Sequence, residues 1–273
     1  MPTPYQHLVE SIAVLKSPDL PGEVRACLEA EQGAFLLGTT AGDVRYLTGQ
    51  PRVETHFHEI PPESIHTTVE NLFRGYPALA DPADLSPAQS AFISGYLLHL
   101  TWDVNWALYV FCPHYLNSDT WSSWRQAMIH HNALRLVLDR RALADLPALD
   151  VALTLRAARP DQWVPFIADD VLQKWRDRIA HHLTTPQHVQ GAAVVFAKRM
   201  GVSLDHLLGV AHAIETDAPA SHVPGLAEAL DRFRTNARTD SLDLLDSYWH
   251  GTWALMEASL EGDSKQSLNA ISH

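Results

Sequence analysis

The sequence predicts an all-α protein, and three observations lead there. Apolar residues recur at helical spacing along most of the chain. Alternating strand-like runs are scarce, and no Asn-Gly or Asp-Gly hairpin turn occurs. With 46% apolar and 19% charged residues over 273 positions, the chain has the composition of a folded globular unit. One compact multi-helix domain is expected: a helical core over 1–160, an added layer of C-terminal helices over 161–262 packed on it, and a frayed tail over 263–273.

Residues 4–16 predict an amphipathic helix with Leu8, Ile12 and Leu15 on one face. Pro21 opens a second, carrying Val24, Cys27 and Leu28. From Gly33 to Pro62 the Gly, Thr and Pro content breaks the helical period. A long irregular connection is expected there, of the kind that often carries function. A helix follows Pro61-Pro62 and runs through Phe73. Ser86 then Pro87 read as an N-cap and a first helical residue. They open a long apolar helix that should close near Pro113. Further helices are expected over 119–140, 142–157, 161–183, 187–200, 203–215 and 223–262.

Lys and Arg number 20 against 32 Asp and Glu, a net charge of −12. That balance opposes duplex nucleic-acid binding through phosphates, and opposes attachment to anionic membranes by charge. A bound cation could still receive a phosphate locally. Cys27 and Cys112 are too few for a disulfide framework or a Cys-rich zinc site. The N-terminus has no basic segment followed by an apolar one, so no signal peptide is expected. No apolar run reaches the roughly 18 residues a membrane span needs. A cytoplasmic protein acting on a small-molecule partner is the expectation, and nothing in the sequence fixes an oligomeric state.

The unusual count is 16 His. A His and a carboxylate four residues apart on a helix share a face and can share an ion. Five such pairs occur: Glu54/His58, His66/Glu70, His99/Asp103, Asp177/His181 and Asp246/His250. Chance alone gives about four, so context must choose. His99/Asp103 lies in the most apolar helix, flanked by Trp102 and Trp106. Those surroundings suit a metal site, and a satisfied buried His–Asp pair is the plainer reading of the same residues. His56 and His58 alternate, so an extended backbone would turn both to one side, to chelate together or with His58 left solvated. Asp43 reads as a turn residue capping its own backbone, or as a ligand. His131 and Asp139 are eight apart and share a helix face. Signatures of serine and cysteine hydrolases, the P-loop, the dinucleotide fingerprint and the H-E-x-x-H metalloprotease motif are all absent.

Four segments, taken in order, resemble the zinc-dependent phospholipase C family, itself related to the S1/P1 nucleases. They are PTPYQHL, GAFLLGTTAGD, THFHEIP and GYLLHLTWD, and the resemblance covers about residues 1–140. It implies an all-α fold around a zinc cluster that cleaves phosphodiesters. By position it implies that Asp43, His56, His99 and Asp103 hold a first metal. Asp103 would bridge to a second that His7 binds, and in the family the N-terminal amine completes that second site. The family's remaining site uses His-x-x-x-Glu, and here Arg135 follows His131 at that spacing. His58, His114, His131 and Asp139 are the spare donors, and Arg135 is placed to hold a phosphate oxygen. One to two zinc ions are therefore expected, with iron or manganese chemically acceptable to the same donors. Asp43 is the expected general base for a metal-activated water that hydrolyses a phosphodiester or phosphomonoester. A non-phosphate metalloenzyme (a biosynthetic hydrolase, an isomerase or an iron-dependent oxidative enzyme) is the first alternative. A non-catalytic helical binding module is the second.

Overall fold

The computed structural model describes residues 1–185, 188–216 and 223–251. Among them there is helix and no strand, and no helix is long and apolar enough to cross a membrane. The tail expected to fray, and the last residues expected in the final helix, lie outside the described residues.

Helices α1 (Pro4–Leu15), α2 (Gly22–Ala30) and α3 (Gln32–Ala41) follow one another with short breaks. The irregular connection expected from Gly33 is instead largely helical. After α3 come a 3₁₀ turn (Gly42–Val44) and two short helices, α4 (Arg45–Thr48) and α5 (Arg52–His56). Tertiary contact explains the discrepancy. A Cβ on Gly38 would sit 2.1 Å from the Phe92 carbonyl oxygen, and one on Gly95 would sit 2.1 Å from that of Phe35. The glycines are there for the direct backbone contact between two crossing helices, which outweighs their low helix propensity.

The second of those helices is α7 (Pro87–Trp106), reached through α6 (Ile65–Gly75). Ser64 and Ser86 cap α6 and α7, accepting from the backbone N–H of Thr67 and Gln89. Every residue of α7 from Ser90 to Trp106 is buried, as an apolar helix without a polar face requires. It does not stop near Pro113. It widens into a π-helical segment, Ala107–Leu116, that carries Pro113 within it. The next helix, α8 (Trp124–Asp145), starts later than expected, capped by Ser123.

After α9 (Ala148–Ala157) the chain is non-helical through residue 168, where a helix was expected. Pro160 and Pro165 break the helix period there. Trp163, Val164 and Ile167 are nevertheless buried. The Gln89 and Gln50 side chains donate to the Trp163 and Phe166 carbonyls, at 2.9 and 3.3 Å. The remaining helices are α10 (Asp169–Leu183), α11 (His188–Met200), α12 (Leu204–Thr216) and α13 (Leu226–Trp249). α13 packs on α7 and the π segment, α11 and α12 on α8, and α10 on α9 and α3. One continuous hydrophobic cluster joins these layers. Trp102 and Trp106 belong to it, each edge-on to Phe233 at 5.3 and 5.2 Å, so these rings are core.

Candidate metal centre

α1, the 3₁₀ turn after α3, α5 and α7 bring His7, Asp43, His56, His99 and Asp103 together, each no more than 4% exposed. Two overlapping groups have donor atoms within 4.8 Å of one another: His7, His99 and Asp103, and Asp43, His56 and His99. Buried His and Asp side chains could thus hold a metal ion. His56 Nε2 lies 3.3 Å from His99 Nε2 and 3.1 Å from Asp103 Oδ2, and 4.0 Å from Asp43 Oδ1. His7 Nε2 lies 3.4 Å from Asp103 Oδ1, and its ring stacks on that of His99 at 4.2 Å. Tetrahedral ligands at about 2.0–2.2 Å from an ion stand roughly 3.3–3.6 Å apart. Three of these four separations fall in or just below that window.

Proton positions sharpen the argument. A carbonyl can only accept, so His99 Nδ1–H donates to the Thr39 carbonyl at 3.1 Å. In the neutral ring Nε2 then presents a lone pair. His56 Nδ1 pairs with the Thr55 hydroxyl at 2.9 Å, and its Nε2 faces His99 Nε2 and Asp103 Oδ2. Burial, with Arg52 next in effect, keeps His56 well below its ordinary pKa. Burial, then His99, pushes His7 down to about 4. His56 pairs with His99 and Asp103 as the rings stand, and a cation placed between these nitrogens and the carboxylate oxygens would replace those pairings with metal–ligand bonds. His7 differs: it is buried and neither ring nitrogen makes a hydrogen bond. Asp103 Oδ1 is likewise without one, since the 3.4 Å approach to His7 is not aligned as a bond. Such orphaned buried polar atoms cost about 1–3 kcal/mol each unless something binds them.

Room for the His99 ring comes from Gly42. A Cβ there would lie 2.3 Å from His99 Nε2. Phe57, in the left-handed region at φ 58°, ends α5 and turns the chain sharply. His56 and His58 are therefore not on an extended backbone as expected, yet both point inward, with ring centroids 6.1 Å apart. His58 is buried, not solvated. Its Nε2 pairs with Arg52 Nη2 at 3.2 Å, and burial followed by Arg52 pushes it down to about 4.

Arg52 escaped the sequence reading. Its Nη2 donates to Asp103 Oδ2 at 2.7 Å. Burial alone would raise Asp103, but Arg52 and then His56 hold it well below the carboxylate range. Asp43 is raised by burial, Asp103 adding to the effect. The signal was an Arg four residues before His56 and just after Pro51, which is the face-sharing spacing of one short helix.

The spare donors sit outside both groups. His131 Nε2 accepts from the Trp106 indole at 3.1 Å. His114 lies in the π segment, its carbonyl accepting from the Trp121 indole. Asp139 accepts from Thr3 and from Gln6 Nε2, and burial raises it to about 6. Arg135 hydrogen-bonds Asn132 at 3.2 Å and lies over the Phe196 ring at 4.9 Å. The Met1 amine is buried among Arg135, Arg52, Asp103 and Asp43.

No protein-family model, no curated protein and no solved structure matches this chain.

Proposed function

We propose that this chain is a metal-dependent hydrolase of a phosphodiester or phosphomonoester. The observation that carries the reading is the buried His7, with no hydrogen bond on either nitrogen, facing Asp103 and His99. An apolar interior satisfies such a group by a hydrogen bond, an ion pair or a metal, and a cation shared with Asp103 and His99 would complete this one. The resemblance of residues 1–140 to zinc-dependent phospholipases C supports the same reading, and mixed imidazole and carboxylate donors suit zinc.

In this reading Asp43, His56, His99 and Asp103 would hold one ion, and His7 with Asp103 would hold a second. When bound, such cations would supply charge to polarise a phosphoryl oxygen and to lower the pKa of a water into the neutral range. Asp43 takes the proton as the water oxygen attacks phosphorus; the P–O ester bond breaks and the leaving oxygen gains a proton. The Thr39 carbonyl and the Thr55 hydroxyl hold the His99 and His56 rings in orientation.

The test is metal content of protein purified without added ions, paired with turnover of bis(4-nitrophenyl) phosphate and 4-nitrophenyl phosphate. Stoichiometric metal and turnover are expected in the parent. His99→Ala and Asp103→Asn should lose the metal and at least about 100-fold in rate, the scale of losing metal-based charge stabilisation. Full metal and activity in both variants would overturn the reading.

One observation favours a second reading. The 2.7 Å Arg52–Asp103 bond neutralises the carboxylate without any ion, as a non-catalytic helical module would need. A melting temperature indifferent to chelator would favour that module.

A further inference from the structure

A cavity of about 380 Å³ opens beside the cluster, with Asp43 on its wall. Its inner surface carries the buried carboxyls Asp43 and Asp139 together with Arg135, and its rim the exposed Arg178 and Arg199. Ile179, Val195 and Phe196 supply an apolar side. Three guanidinium groups gather here on a chain whose net charge is −12. Arg135 and Arg199 lie over the rings of Phe196 and Tyr46, at 4.9 and 5.3 Å. Stacking fixes the plane of a guanidinium and leaves its N–H edges for a ligand. Arg135 Nε is buried without a hydrogen bond. Neither Arg178 nor Arg199 forms an ion pair with a carboxylate among the described residues. At the small end of the roughly 300–1,000 Å³ range of small-molecule sites, the space suits a compact ligand and not a nucleic-acid strand.

We infer that this cavity is the substrate site and selects a small phosphate ester whose alcohol part carries a second anionic group beside a short apolar or aromatic body. The inference rests on the hydrolase reading for the position of the scissile phosphate. That phosphate lies by Asp43, with Arg135 on one of its oxygens. The body packs on Phe196, Ile179 and Val195. The distal carboxylate or phosphate meets Arg178 and Arg199.

The experiment compares 4-carboxyphenyl phosphate with phenyl phosphate on the metal-loaded full chain. At least a tenfold preference in kcat/KM for the acidic ester is expected, seen in KM more than in kcat. In the Arg178→Ala/Arg199→Ala protein that ratio should collapse toward one, and in Arg178→Lys/Arg199→Lys it should be partly kept. Metal content and melting temperature are read alongside, to confirm that both variants fold. No preference in the parent, or a preference that survives the double alanine change, overturns the inference while leaving the hydrolase reading intact. If neither ester is turned over, the hydrolase reading fails instead, and equilibrium binding of 4-carboxyphenyl phosphate decides on the cavity. Saturable binding weakened tenfold or more in the alanine variant supports an anion site there, and no saturable binding overturns it.

Discussion

At the scale of single residues, burial sets the chemistry. Asp139 shows how. Burial raises its carboxyl to about 6 even though Thr3 and Gln6 donate to it. The unfolded value is near 3.9, so the folded state binds this proton more tightly. Its contribution is fully present below about pH 4 and is lost as pH rises through 6. Asp139→Asn keeps an oxygen that can accept from both donors and has no charge to bury. Relative to the parent, the variant should gain up to about 3 kcal/mol above pH 7 and nothing near pH 4. Denaturant unfolding of both proteins at the two pH values checks this, and an equal gap at both would count against it. His99/Asp103 was readable in the sequence because a carboxylate in so apolar a helix demands a partner. Arg52 was not, since its spacing to His56 is a signal only if residues 52–56 are helical, and Pro51 with Pro61-Pro62 marks that stretch as irregular.

At the scale of elements, the α3–α7 crossing governs where the donors fall. Asp43 follows α3, while His99 and Asp103 lie on α7. Direct backbone contact at Gly38 and Gly95 holds the two helices in register. Gly95→Ala would drive a methyl group into the Phe35 carbonyl. It should cost about 1–3 kcal/mol or more as the helices part, read as a shift in the denaturant midpoint. Gly42→Ala presses on the His99 ring itself. Metal affinity should fall about 10- to 100-fold, the usual cost of disturbing a ligand's support, as measured by competition with a chromophoric chelator. Unchanged affinity would show that His99 is not a ligand. The stretch from Gly33 to Pro62 was misread for the same reason. Glycine is ambiguous in a sequence: it ends helices by propensity, but also serves where two backbones must touch. The helices after Pro21, Pro61-Pro62 and Ser86 were legible because the Pro and Ser signals at helix starts are local chemistry. The π-helical widening past Trp106 was not, because the widened turns of Ala107–Leu116 pack against α13, which is far away in sequence.

At the scale of the whole molecule, the cluster joins α1, α3 to α5, and α7 near the middle of one core. An ion that binds only the folded state adds stability by mass action: about 4 kcal/mol at a thousandfold excess over Kd. For a chain of this size that is roughly 10 °C in Tm. Chelation should lower Tm by about that amount, and readdition of zinc should restore it, by scanning calorimetry. The all-α class was evident from composition and periodicity. How the later helices cover the core was not, because α10 and α13 meet α3 and α7 through contacts more than a hundred residues distant, such as the Trp175 indole with Thr40.

That last contact carries a consequence. Successive carbonyls at the end of α3, those of Thr39 and Thr40, accept from the His99 imidazole and the Trp175 indole. One ring belongs to the groups that could hold a metal ion and the other lines the cavity. Two adjacent peptide units thus anchor both, and the expected outcome is that occupancy at either place changes affinity at the other. Such reciprocity is symmetric: if zinc tightens phosphate binding by some factor, phosphate tightens zinc by the same factor. Trp175→Phe, which deletes the shared tether, should shrink both factors together.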